Sequence, residues 1–386
     1  MPSNFLINQL TLEKRPSDSK TMAYLSPVLA ILLTLISGGL LFASLGKDPF
    51  EALYVFFVSP LTDLYGWTEL FIKVAPLLLC GIGLTLCYKA NIWNIGAEGQ
   101  FILGGLGGGY LALELLQVES HMVLPAILFF GALCGMFWAS LAALLKTKFG
   151  ANEILTTIML NYIALNWLLF GVHGPLKDPE GFNFPESAMF SEFATLPLVF
   201  EDYRLNISIF FALFFMAVIW ALLSKSLIGF QISVMGQDKS AARFAGFKEK
   251  RLIWFVLLTC GAMAGLAGVS EVTGPVGQLT PYISPGYGYA AIIVVFLGRM
   301  HPVGILLAAM LLALTFMGGE MAQMDLALPK SLTGLFQGML LFYLLACDML
   351  ISYRVVRKKR TQKQVTTEEQ ISTVSNPASS QTTNQA

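Results

Sequence analysis

The sequence predicts an all-α, polytopic membrane protein of about ten transmembrane helices, with two glycine-rich helix breaks and both termini cytoplasmic. Three observations lead there. Of 386 residues, 55% are hydrophobic and only 12% are charged, against about 25% charged in a soluble domain. The apolar residues fall into runs of roughly 18–25, the length that crosses a bilayer. Two stretches inside this apolar region are crowded with glycine and polar side chains: residues 91–110 (NIWNIGAEGQFILGGLGGGY) and residues 273–289 (TGPVGQLTPYISPGYGY).

In chain order, residues 1–22 are polar and mildly basic, a cytoplasmic tail. The run at 23–45 is too long for a signal-peptide core and is a retained first span. A loop at 46–67 precedes span two at 68–88, which contains Pro76. The first break leads into span three at 100–116. Span four follows at 123–145, and span five, at 151–170, is unusually polar. An acidic loop at 173–206 separates it from span six, 207–223. A basic loop at 224–251 leads to span seven, 252–272. The second break precedes span eight at 290–297, a run so short that its helix must begin inside the break. Spans nine and ten cover 302–317 and 332–352. The membrane domain is thus 23–353. The tail at 354–386 opens with basic residues, turns rich in Ser, Thr, Gln and Asn, and is expected to be disordered.

Charge distribution sets the orientation. With an even span count and a cytoplasmic N-terminus, 19 of the 24 Lys and Arg residues fall on the inner side and 4 (Lys47, Lys177, Arg204 and Lys330) on the outer, with Lys73 inside span two. That asymmetry follows the positive-inside rule. Spans two to five and seven to ten each open as helix, polar break, helix. Paired breaks of this kind point to a pathway between two repeats.

Several polar groups are candidates for function. Asn91, Asn94, Glu98 and Gln100 in the first break could line a translocation path, with Glu98 as an intramembrane charge. They could equally cap helix ends and satisfy freed backbone groups. In span five, Asn152, Glu153, Thr156, Asn161 and Tyr162 read either as a polar stripe facing the path or as hydrogen-bonding glue between helices. The basic loop contains a short amphipathic helix bracketed by Gly236 and Gly246, with Ala241, Ala242, Phe244 and Ala245 as its apolar face. It suits a groove on a partner or an anionic lipid surface.

Catalysis and cofactors find little support. The five cysteines all lie in apolar runs with no C-x-x-C pair, and the three histidines are scattered without H-E-x-x-H; no metal site or disulfide is expected. Ser270 and His301 would sit at opposite membrane faces, too far apart to form a nucleophile–base pair. No Walker A pattern occurs, so the chain is not expected to bind ATP itself. Nothing points to nucleic acid.

Four stretches together carry a resemblance: NIGAEGQFILGG, NEILTTIMLNYIA, VMGQDKSAARFAGF and GYGYAAIIVVFLGRMHPVG, in this order between residues 90 and 305. They resemble permease subunits of bacterial ABC importers, in the branched-chain amino acid and ribose permease superfamily, and more narrowly its branch for nucleosides and simple sugars. The resemblance implies a non-enzymatic transport subunit in the bacterial cytoplasmic membrane. It implies an ABC ATP-binding partner that holds the ATP, a second permease subunit, usually a different chain, and an extracytoplasmic substrate-binding lipoprotein. It also implies that Gly236, Gln237, Asp238, Ala241, Ala242, Ala245 and Gly246 form the coupling loop that docks on the ATPase. The substrate pathway would be lined by Asn91, Asn94, Glu98, Gln100 and Asn161. The family often carries an acid directly after G-x-G-[FY]; here that residue is Ala290. The alternative from the residues alone is an ion- or proton-coupled secondary transporter with Glu98 as coupling site.

Overall fold

The computed structural model describes residues 10–15 and 20–357. Thirteen α-helices are described: α1 (Lys20–Ser44), α2 (Pro49–Phe57), α3 (Leu64–Lys89), α4 (Ala97–Glu114), α5 (Val123–Phe149), α6 (Glu153–His173), α7 (Ser208–Lys225), α8 (Leu227–Gln237), α9 (Lys239–Phe244), α10 (Glu249–Glu271), α11 (Tyr287–Leu297), α12 (Pro302–Leu326) and α13 (Ser331–Ser352). Polar N-caps start several of them: Asp48 for α2, Asp63 for α3, Asn152 for α6, Ser226 for α8 and Asp238 for α9 each accept a backbone N–H of the first turn.

Among the described residues, eight helices are long and apolar enough to cross a membrane: α1, α3, α5, α6, α7, α10 (continued to Val276), α12 and α13. Helices stand at all ten expected spans, but those at spans three and eight are not among the eight. Glycine and polar residues dilute the hydropathy of α4, and α11 has only 11 residues. The stretch at 46–67 is not simply a loop, because α2 forms there. Asp48 caps it, Pro49 fits its first turn, and Ala52 and Phe56 are buried.

The chain divides into two compact units. One, residues 29–344, holds the helical core. Within it α10 packs on α5, α4 and α3, and α4 packs on α5. Glycines set these crossings. A Cβ on Gly104 would lie 2.3 Å from Gly265 Cα, and one on Gly135 would lie 2.3 Å from the Gly261 carbonyl oxygen. Backbones at this spacing leave no room for a side chain. A satellite cluster of Phe42, Phe56, Leu332 and Phe336 gathers α1, α2 and α13, with Phe56 stacked on Phe336 at 4.7 Å.

The other unit consists of the chain ends, 1–28 and 345–386. Strand β1 (Leu10–Lys14) pairs antiparallel with β2 (Tyr353–Arg357), Leu10 opposite Arg357. Arg354 meets Glu13 at 3.0 Å, and Ser26 donates to Asp348 at 2.5 Å. Residues 354–357, expected within a disordered tail, therefore lie in a strand, where a partner of matching length satisfies their backbone. The rest of the expected tail, from 358 onward, lies outside the described residues.

Gly104→Val is expected to overpack the α4–α10 crossing by about 1–3 kcal/mol and lower the thermal midpoint of the purified protein. Gly338→Ala on α13, where a Cβ meets nothing within 4 Å, should leave that midpoint unchanged.

Candidate functional site

Two helices begin at one point inside the core. After α3, residues 90–96 are non-helical, and Asn91 adopts a left-handed φ of 54°, which asparagine tolerates better than most residues. Helix α4 then starts at Ala97. After α10, a π-helical turn (Val272–Val276) ends at Gly277 with φ 73°, and the chain runs without regular structure to α11. The Glu98 carboxylate on the first turn of α4 accepts the Gly288 N–H on the first turn of α11 at 2.7 Å. Gly288 is obligatory, because a Cβ there would lie 2.3 Å from Glu98 N. The two breaks thus touch through their helix N-termini. At 11 residues, α11 is about 16 Å long, roughly half a bilayer's hydrocarbon thickness.

The expected pathway residues divide by role. Asn94 is fully buried and closes the α4 entry: its Oδ1 accepts Gly96 N–H at 2.9 Å, and its Nδ2 reaches Gln100 Oε1 at 3.3 Å. Asn161 on α6, also buried, accepts Gly99 N–H at 2.8 Å and donates to the Ile95 carbonyl at 2.9 Å and the Tyr289 hydroxyl at 3.1 Å. Thr157, one turn earlier, accepts Ile95 N–H at 3.2 Å. So the freed backbone of the first break is satisfied mainly by α6, four residues apart on one face. Asn91 is exposed and stands apart from this network. Asn152 and Thr156 do not join it either; Asn152 caps α6, and Thr156 bonds back to the Asn152 carbonyl at 2.8 Å. Aromatic packing fixes the far end of the junction, where Tyr88 and Trp93 both stack on Phe296 of α11, at 5.1 and 5.8 Å.

Sequence reasoning missed two groups. Tyr289 completes the Asn161 network; its signal was the second tyrosine of GYGY. The other group is a charge cluster joining helices far apart in sequence. Lys73 (α3) pairs with Glu320 (α12) at 2.8 Å, Arg204 meets Glu69 (α3) at 3.4 Å, and Arg204 also donates to the Pro275 carbonyl at 3.1 Å. Glu271, the last residue of α10, lies within electrostatic range of Lys73, Arg204, Glu320 and Glu69. The acidic loop expected at 173–206 is laced to the second break by the same route: Phe190 N–H to Gly277 O at 2.9 Å, Leu196 N–H to Thr273 O at 2.9 Å, Gln278 to Glu186 at 2.9 Å.

The 236–246 loop comprises the end of α8, then α9 and its exit. Gly236 packs against the end of α3, where a Cβ would lie 1.9 Å from the Lys89 carbonyl. Ala242 is buried within the chain, whereas Gln237, Asp238, Ala241, Ala245 and Gly246 are exposed. Phe244 projects almost completely into solvent, 97% exposed. Asp238 caps α9 through Ser240 N–H at 2.7 Å and the Ser240 hydroxyl at 2.6 Å. These bonds, the hydroxyl's first, hold its carboxyl below the ordinary value. The cap is therefore complete at neutral pH and lost only as pH falls through that lowered value.

No group of metal-ligating side chains occurs among the described residues. Ser270 lies in the last turn of α10, and its buried hydroxyl has no hydrogen-bond partner among the described residues, so no nucleophile–base contact with His301 is formed. A cavity of about 230 Å³ between α3, α7 and α12, lined by Thr85, Lys89, Trp220, Ser224 and His301, includes none of the expected pathway residues.

Residues 67–345 match the family described as the permease component of branched-chain amino acid transport systems. The chain belongs to this family. It is 33% identical to a glucose ABC transporter permease protein of Haloferax volcanii, over 90% of this chain and 93% of that protein. It is 29% identical to a guanosine ABC transporter permease protein of Bacillus subtilis, over 75% and 83%. A nucleoside ABC transporter permease protein of Lactococcus lactis is 26% identical, over 85% and 92%. The permease is accordingly a multi-pass membrane transport subunit.

Removing the Glu98 acceptor should destabilise the junction. Glu98→Leu orphans the buried Gly288 N–H, at about 1–3 kcal/mol, and is expected to lower the thermal midpoint. Glu98→Gln keeps an acceptor and should unfold close to wild type. Asn161→Leu strands Gly99 N–H and the Ile95 carbonyl together and should fall further than Glu98→Leu in the same assay.

Proposed function

We propose that this chain is the transmembrane permease subunit of an ATP-driven ABC importer in the bacterial cytoplasmic membrane, moving nucleosides or related simple sugars delivered by an extracytoplasmic binding protein. The observation that carries the reading is the meeting of the α4 and α11 N-termini at the Glu98–Gly288 contact. Discontinuous helices whose positive ends converge inside the membrane are a recurring way to build a substrate route. The named substrates of the relatives support the cargo.

On this reading both termini are cytoplasmic, and α4 and α11, with their breaks, complete ten membrane elements. The charge cluster around Lys73 and Arg204 then lies towards the outer face, next to the loop that would receive the binding protein. That loop is hydrogen-bonded to the second break, so a partner pressing on it acts on α11 through backbone bonds. On the inner side, α9 presents Phe244 to a groove of the ATPase, which binds and hydrolyses ATP in a separate chain. A second permease, a different chain, completes the pathway.

Glu98 as a proton-coupling site fits poorly with this geometry, because its carboxylate is committed to a helix N-terminus. Deleting the partner ATPase should abolish concentrative nucleoside uptake, and continued accumulation would refute the importer reading. Phe244→Asp should cut uptake at least tenfold while the permease remains in the membrane. Glu98→Gln should not remove any pH-gradient dependence selectively; if it did, the secondary-transporter reading would replace this one.

A further inference from the structure

We propose that Tyr289 and Tyr162 form an aromatic clamp that stacks on the base of a nucleoside in transit. The inference rests on the importer reading above and names the part of the cargo that this site contacts.

The argument begins with polar groups left unspent at an exposed surface. Tyr162 lies nine residues into α6 and Asn166 thirteen, about 14 and 20 Å along a helix of about 31 Å. Both are exposed, Tyr162 at 59%. Among the described residues the Tyr162 hydroxyl has no hydrogen bond. Asn166 uses only its Nδ2, on the Tyr162 carbonyl at 2.7 Å, leaving its Oδ1 free. A phenol and an amide carbonyl facing hydrocarbon at mid-depth would have no partner at all. These two polar groups are therefore better served by water or a polar ligand than by lipid.

Tyr289 adds a positioned ring. It follows Gly288, whose N–H is held by Glu98, and its hydroxyl accepts from Asn161 at 3.1 Å. Its own proton is left to donate. The ring is 43% exposed, and its hydroxyl's bond to Asn161 sets it beside the next residue of α6, Tyr162. A ring anchored at both backbone and hydroxyl, yet open on one side, is preorganised for a flat ligand.

The chemistry of the surface selects the ligand. The exposed stripe of α6 carries Leu155, Met159, Tyr162, Ile163, Asn166 and Phe170, with no carboxylate or ammonium. The one nearby acid, Glu98, is buried with an oxygen already bonded. A zwitterionic amino acid would find no counter-charge here. A neutral heteroaromatic base finds ring faces for stacking, a phenol proton to donate and an amide oxygen to accept.

The test uses the complete transporter with its ATPase and binding protein, measuring uptake of labelled guanosine, uridine, ribose and glucose. Stacking on a base is worth about tenfold or more in an equilibrium constant. Tyr289→Leu is therefore expected to lower the maximal rate of nucleoside uptake at least tenfold, with the half-saturating concentration, set by the binding protein, unchanged. Tyr289→Phe, which keeps the ring, should retain at least half the rate, and Tyr162→Leu should fall several-fold. A wild-type transporter that accumulates only a sugar, or a Tyr289→Leu variant within twofold of wild type on nucleosides, overturns the clamp and leaves the importer reading standing. Accumulation of none of the four overturns that reading as well. Should Tyr289→Leu fail to assemble, photolabelling of the wild-type complex with an azido-nucleoside decides: label at Tyr289 or Tyr162 supports the clamp, and label elsewhere only overturns it. Cross-linking of Tyr162→Cys to the second permease in the resting complex would show a protein contact there and overturn it too.

Discussion

The hydrogen bond from Gly288 N–H to the Glu98 carboxylate is the contact on which the rest of this permease depends. Two helix N-termini, each with unsatisfied N–H groups and a positive end, meet where neither water nor lipid can serve them. A single carboxylate on one helix reconciles them by accepting from the other. Around it the freed backbone finds side-chain partners: Gly96 on Asn94, Gly99 and the Ile95 carbonyl on Asn161, and Ile95 N–H on Thr157. The polar residues of the break are first of all the means by which a broken backbone is tolerated at membrane depth. Any role towards cargo is built on that one.

From this junction contacts run in two directions. Through α11 and the second break they reach the 173–206 loop by backbone bonds at Gly277 and Thr273, with Arg204 binding that loop to α3 and to Pro275. Through the first break and α6 they reach the exposed face bearing Tyr162. The connection from the 173–206 loop to the exposed face of α6 is therefore continuous and passes through Glu98. On the other side, α8 lies against the end of α3 at Gly236, so the helix that follows it, α9, is anchored to the same long helix that leads into the first break.

Much of this was legible in the sequence, because glycine and asparagine in an apolar run conflict with a plain membrane helix and the conflict marks the break. The helices on either side of each break follow from that. What was not legible depended on three-dimensional juxtaposition. Asn91, equal to Asn94 on paper, points out because its left-handed backbone turns it away. Ala242, equal to Ala241 and Ala245 in a helical wheel, is buried because its own chain packs over that side of α9. The Lys73–Glu320 pair joins positions 247 residues apart, and no local pattern announces it. Helix α2 was hidden by its brevity, though Asp48 followed by Pro49 is a recognisable helix start.

The glycine crossings of α4, α5 and α10 carry a further consequence. Where backbones touch without intervening side chains there is no cushion to compress and no rotamer to change, so these three helices can shift only as one slab. Their facing positions are likewise closed to any larger residue, whatever the cargo. Divergence between transporters built on this frame must then be written on its margins, in the outward stripe of α6 and at the half-open ring of Tyr289, where a side chain can be exchanged without parting the slab.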